Sequence, residues 1–177
     1  MESPPIEIGK ATLADGKRIA EIQLAGWKAG YRGILPDDFL EKLDPEAKVS
    51  MWERFIRNEK GLMLVARSFS EVLGFCHLIS SRDADGDGIA EITAIYVDPD
   101  GWRKGCGRRL FEVALTSAAE QGYAGMTLWV LTGNSRGRGF YEAMGMQADG
   151  AVKSEERPGC TLHEVRYRID LSACGSS

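Results

Sequence analysis

Residues 89–110 constrain this chain more than any other stretch. Ile89 to Val97 is an apolar run that reads as a strand, and Asp98-Pro99-Asp100-Gly101 has to turn it. Gly105-Cys106-Gly107 then opens a periodic segment to Gln121, with Leu110, Ala114 and Ala118 on one face and Gly122 as its stop. The result is a strand, a tight turn and a glycine-led helix. Backbone N–H groups at a helix start lack intrahelical partners, and the helix dipole makes that end attractive to anionic oxygens. Gly105 and Gly107 remove the Cβ atoms that would hold such oxygens away, while Arg103, Lys104 and Arg108 add charge. A bare helix start with solvated cations has the same features, so this stretch alone leaves both readings open.

The charge distribution bears on the choice. The chain has 177 residues and a net charge of −4. Residues 101–140 alone carry +4, from six cations and two acids, so the remainder carries −8. A basic island in an acidic chain with pI near 5.3 argues for a small anionic ligand held locally, and against a general nucleic-acid binder. The basic patch also lacks interleaved aromatics apart from Trp102, which weakens a single-strand nucleic-acid reading.

Around that centre the chain alternates strands and helices without repeat, linker or low-complexity block. The expected strands are 6–12, 62–66, 72–79, 89–97, 126–131, 147–153 and 161–170. Asp15 is the expected cap of a helix carrying Ile19, Ile22 and Trp27, Pro36 opens a second helix, and Asp44-Pro45-Glu46 a third through Trp52 and Phe55. The last helix starts at Asn134 or Ser135 and ends at Gly145. The pattern gives an α/β (α+β) domain over 1–177, with a core of about 6–170 and a loose tail at 171–177.

Several chemistries fail on spacing. Cys76, Cys106, Cys160 and Cys174 form no C-x-x-C pair, and His77 and His163 add no metal pattern, so no metal site is expected. Both histidines read as ordinary strand residues. Asp83-x-Asp85-x-Asp87-Gly88 begins like a calcium loop, but the twelfth position is Ala94 rather than Glu, which leaves a polar hairpin loop. A dinucleotide fingerprint would need a third glycine after Gly107. With no signal core and no apolar run of membrane length, the expected setting is cytoplasmic and free of membrane.

A second stretch lies about 30 residues on: Leu128 to Asn134, then Arg138-Gly139-Phe140-Tyr141-Glu142-Ala143-Met144-Gly145-Met146. Phe140 and Tyr141 by themselves could simply pack on a sheet. Together the two stretches resemble the GNAT superfamily of N-acetyltransferases. The first is similar to that family's coenzyme A signature: Arg or Gln, two residues, Gly, one residue, then Gly or Ala. The second is similar to its asparagine, Phe-Tyr-Glu and glycine-aromatic pattern. Strand 90–99 resembles the strand that feeds the loop, and Trp27 to Pro36 a helix region of many bacterial members. Two positions depart from the pattern: Trp102 stands at the Arg/Gln position, and Met146 at the aromatic.

The resemblance implies a single mixed, mostly antiparallel central sheet flanked by helices. It also implies acetyl transfer from acetyl-CoA to a primary amine of a small molecule or peptide, by direct attack in a ternary complex. The pyrophosphate would rest on the turn and helix start of Arg103, Lys104, Gly105, Cys106, Gly107 and Arg108. The pantetheine arm would pair along Ile95, Tyr96 and Val97, with a strand bulge opening the sheet and an N–H near Ile95 facing the thioester oxygen. Asn134 matches the asparagine that contacts the cofactor, and Tyr141 the acid that protonates the departing thiolate. Glu91 is the candidate base, against a reading as an exposed strand carboxylate. Trp27 and Tyr31 could line the acceptor pocket or pack in the core. Cys106, despite its helix-start position, reads as packing. Residues 1–100 hold 12 cations and 18 acids, which leans toward a cationic acceptor. The alternatives are a protein N-terminal or lysine acetyltransferase, and an acyl-CoA sensor without turnover. Homodimers are common in the resembling family.

Overall fold

The computed structural model describes residues 4–171 of the chain. Its seven strands form one sheet: β1 (Ile6–Lys10), β2 (Leu62–Ser68), β3 (Glu71–Ser80), β4 (Ile89–Val97), β5 (Gly125–Leu131), β6 (Gln147–Arg157) and β7 (Cys160–Asp170). They lie in the order β1-β2-β3-β4-β5-β7-β6, and only the β4–β5 pair is parallel. The sheet is therefore mixed and mostly antiparallel, with helices on both faces. Five α-helices accompany it: α1 (Gly16–Gly30), α2 (Asp37–Glu41), α3 (Pro45–Arg57), α4 (Cys106–Glu120) and α5 (Ser135–Ala143). Among the described residues no helix is long and apolar enough to cross a membrane.

Strand alternation divides the core in two. On β2, Leu64 and Ala66 point to the face covered by α4, whose Leu110, Phe111, Ala114 and Ala118 are fully buried there. Met63 and Val65 point to the opposite face, where Ile19, Ile22 and Trp52 of α1 and α3 close over Phe75. Burial on both faces explains why these central strands read as continuous apolar runs. Gly26 lets α1 approach closely, since a Cβ there would stand 3.1 Å from the Tyr96 ring.

Some sequence expectations shift. Asp44 caps α3 as expected, accepting hydrogen bonds from the Glu46 and Ala47 N–H groups. Asp15 occupies the position before α1, but its carboxylate does not cap that helix. It accepts from the Thr12 N–H and pairs with Arg67 instead, because the guanidinium is the stronger partner. Leu171, placed at the start of the tail, is 4% exposed and its N–H bonds to the Ala124 carbonyl. The rest of the expected tail lies outside the described residues.

Two features of β4 shape the space beside it. Between the pairs Leu78↔Ile92 and His77↔Ala94 the strand carries one extra residue, Thr93. The buried His77 holds this bulge: its Nε2–H donates to the Lys60 carbonyl at 2.6 Å, and its Nδ1 accepts the Thr93 hydroxyl at 2.6 Å. On the other side, β4 pairs with β5 only from Ile89↔Gly125 to Ile92↔Leu128. Beyond that point the strands separate, and the edge of Thr93–Val97 that β5 would otherwise pair faces an opening.

Candidate active site

The opening between β4 and β5 is continuous with a cavity of about 1070 Å³. At one end lies the start of α4. Arg103 and Gly105 both adopt left-handed backbone conformations, with φ of 67° and 81°. The turn they form leaves α4 without a side-chain cap, and its first intrahelical bond runs from the Arg109 N–H to the Gly105 carbonyl. The N–H groups of Cys106, Gly107 and Arg108 are therefore free of helix partners and open to an anion. A Cβ on Gly107 would stand 3.4 Å from Phe140, at the foot of this cradle. These donors, with the absent side chains and nearby cations, fit a pyrophosphate.

The basic island separates into two groups. Arg109 donates to the Ile6 carbonyl, and Arg138 donates to the Tyr167 hydroxyl and the Thr132 carbonyl, so both tie the fold together. Arg103, Arg108 and Arg136 remain on the cavity wall. Arg136 stacks on Trp102 with its guanidinium 3.4 Å from the ring centroid. The Trp102 indole N–H donates to the Val97 carbonyl at 2.9 Å, so it ties the end of β4 to the turn. That is the role of the departing residue at the Arg/Gln position.

In the middle of the cavity, Tyr141 of α5 faces the separated strands. Burial raises its pKa well above the ordinary tyrosine value, so it carries its proton at neutral pH. Asn134 also lines the cavity, but its side-chain oxygen caps α5 by accepting the Gly137 N–H at 3.0 Å, which leaves only its NH₂ group to face outward. Cys106 is 2% exposed, and burial pushes its thiol pKa up to about 11. The helix start does not turn it into a thiolate, because desolvation outweighs the pull of the Arg109 cation.

The other end of the cavity is aromatic. The Trp27 indole N–H donates to the Tyr96 hydroxyl at 2.7 Å, and the Tyr31 hydroxyl lies 3.4 Å from the same oxygen. Burial raises the pKa of both tyrosines. Glu91 is on this side too, and it is not an exposed carboxylate. It is 1% exposed, accepts the Arg82 N–H at 3.1 Å and pairs with the Arg82 guanidinium at 2.5 Å.

Every site residue expected from the sequence except Lys104 lies on this cavity wall; Lys104 is exposed beside it. Sequence reasoning missed Lys48, Trp129, Arg157 and Glu164, which complete the aromatic end. It also missed the destination of the acidic hairpin loop. Asp83 and Asp85 both grip Arg166 of β7, at 3.2 and 2.7 Å, and Asp83 also accepts the Trp129 indole N–H. The carboxylates that open like a calcium loop are partners of a guanidinium.

Comparison with known proteins bears on the family and the fold. The model of the Acetyltransferase (GNAT) family matches residues 27–146. A probable N-acetyltransferase of Mycobacterium tuberculosis is 30% identical over 177 residues, 98% of each chain. A spermidine N(1)-acetyltransferase of Thermoplasma acidophilum is 26% identical over 151 residues, 81% of this chain and 89% of the relative. Among solved structures, the PaiA N-acetyltransferase of Thermoplasma acidophilum in complex with coenzyme A superposes with a TM-score of 0.70 at 25% identity, covering 94% of this chain and 99% of that one.

Proposed function

The chain belongs to the GNAT acetyltransferase family, and on that premise we propose that it transfers an acetyl group from acetyl-CoA to a primary amine within a ternary complex. The observation that carries this reading is the single continuous cavity. It runs from the free N–H groups of α4, past the unpaired edge of β4 and Tyr141, to the aromatic end. The coenzyme A bound by one relative and the spermidine named for another support the same pair of substrates.

In this reading Cys106, Gly107 and Arg108 hold the pyrophosphate through their N–H groups. Arg103, Lys104 and Gly105 shape the preceding turn. Ile95, Tyr96 and Val97 offer their backbone edge to the pantetheine arm, and the Asn134 NH₂ faces it from α5. Acetyl-CoA supplies an acetyl group activated as a thioester, so the protein has mainly to position and polarise. An N–H near Ile95 meets the negative charge that develops on the thioester oxygen. A free alkyl ammonium titrates at about 10, so the amine has to lose a proton before it attacks. Glu91 accepts that proton through water, since Arg82 occupies its oxygens directly. A C–N bond forms while the C–S bond breaks, and the Tyr141 hydroxyl gives its proton to the departing sulfur. Trp27 and Tyr31 shape the acceptor side.

The test is thiol release from acetyl-CoA by the purified protein in the presence of a panel of primary amines. Release that depends on an amine, with the acetylated amine found by mass spectrometry, is the expected result. Binding of acetyl-CoA with no release on any amine or peptide would return the chain to the sensor reading.

A further inference from the structure

The acceptor end of the cavity holds more charge than an aromatic pocket for a simple amine requires, and most of that charge is paired. Glu91 is matched by Arg82, and Asp83 by Arg166. Lys153 lies with its ammonium 4.4 Å from the Trp129 ring centroid. Two half-buried groups of opposite sign are left over. Lys48 of α3 stands over the Trp27 ring at 5.8 Å and makes no salt bridge among the described residues. The charge it senses is another cation, Arg157 at the end of β6, which together with burial lowers its pKa. Among the described residues Arg157 is bound to Glu155 through Nε alone, at 2.8 Å, and the rest of its guanidinium makes no hydrogen bond. Glu164 of β7 is the opposite case. Its carboxylate makes no hydrogen bond or salt bridge among the described residues, although Lys153 stands opposite it on β6; burial raises its pKa, and Lys153, Arg157 and Arg82 offset that only in part. It lies close enough to Tyr31 and Tyr96 to raise the pKa of both hydroxyls.

Lys48 and Glu164 both line the cavity, and among the described residues they form no salt bridge with each other. A desolvated cation and a desolvated anion on one cavity wall, held apart, are each costly without a partner. A molecule carrying both charges would relieve both at once. Building on the acetyltransferase reading above, we propose that the acceptor is a small amino acid, whose ammonium group meets Glu164 and whose acid group meets Lys48 and Arg157. A polyamine fits less well, because its distal ammonium would face Lys48 and Arg157. A peptide N-terminus also fits less well, because its neighbouring carbonyl is an amide and carries no charge for them. The net acidity of residues 1–100 leans toward a cationic acceptor, but the acids of that segment on the pocket wall, Asp83 and Glu91, are matched by Arg166 and Arg82.

The experiment measures thiol release from acetyl-CoA with the free L-amino acids, each against its own carboxamide, and with spermidine. The best free amino acid should exceed its carboxamide at least about tenfold in kcat/KM, the scale of one charge-assisted contact, with spermidine below both. The double variant Lys48→Gln, Arg157→Gln should bring that ratio toward one, and Glu164→Gln should raise KM for the amine more than it lowers kcat. Equal or better turnover of carboxamides or spermidine by the unaltered protein would overturn the amino-acid assignment and leave the acetyltransferase reading standing. No release with these acceptors, but release with another amine or a peptide, would likewise overturn the amino-acid assignment alone; no release on any amine or peptide would remove both.

Discussion

The two ends of the cavity are built by different means. The α4 end is made of backbone: a left-handed turn, three free N–H groups and an unpaired strand edge, all within residues 93–108. The acceptor end is made of side chains from α1, α3, β4, β6, β7 and the loop before β4, which meet only when the sheet is assembled. A backbone site tolerates changes of side chain so long as no Cβ intrudes, as Trp102 at the Arg/Gln position illustrates. A side-chain site can be re-specified residue by residue while the fold stays the same. Within one family, this allows a constant acetyl donor to be combined with varied acceptors.

The largest effect expected lies where the two ends join. Tyr141→Phe should lower kcat by roughly 10²-fold or more, the scale of a lost proton donor, while the Kd for acetyl-CoA measured by calorimetry stays the same. Unchanged turnover would remove Tyr141 from the chemistry and leave it as a packing residue beside Phe140 and Tyr167. A next, smaller effect tests the backbone end. Gly107→Val would push on Phe140 and fill the cradle, so KM for acetyl-CoA should rise by about tenfold, or about 1.4 kcal/mol, with KM for the amine unmoved. If both constants rose together, the two ends would not be separable.

The same division explains what the sequence could show. Strand 89–97, the turn and the helix from Gly105 are local, so periodicity and glycine placement were enough to find them. The acceptor end was legible only in part. Trp27 and Tyr31 entered through a family resemblance, and Glu91 through its place on the strand. Glu164 and Arg166 belong to no motif in a late strand, and charges at alternate strand positions commonly face solvent. Here that face turns inward, since Leu162, Glu164 and Arg166 share it with Trp129 of the neighbouring strand. Asp83 and Asp85 likewise had no visible partner, since Arg166 lies more than eighty residues away in the chain.

That long-range contact gives a test on the acceptor side. Arg166→Met would release Asp83, Asp85 and Asp149 together, and Asp83 is also bonded to Trp129. The loop over the acceptor end should loosen, with Tm falling by several degrees. KM for the amine should rise a few-fold while KM for acetyl-CoA holds, measured by varying each substrate separately. An equal rise in both would show that the loop supports the whole sheet opening rather than one end of it.

The smallest effect concerns the bulge that serves both ends. His77 is 1% exposed, its Nε2–H is committed to the Lys60 carbonyl, and burial favours the form whose bare Nδ1 accepts the Thr93 hydroxyl. That is the neutral imidazole. Burial is the main cause that lowers its pKa below the ordinary 6.5, aided by Arg82 and offset in part by the Lys60 carbonyl and Glu91. The unfolded chain therefore binds this proton at a pH where the folded chain still refuses it. Stability from His77 is complete above about pH 6.5 and is lost as the pH falls from there toward the depressed folded value, at no more than about 1.4 kcal/mol per pH unit. Urea denaturation at pH 7.5 and 5.5 should show a larger drop in midpoint for the unaltered protein than for His77→Gln, which cannot titrate. An equal drop in the two proteins would mean that the bulge is held by the strands alone. A larger drop in the unaltered protein would tie the bulge at Thr93, where β4 leaves β5, to the protonation state of His77.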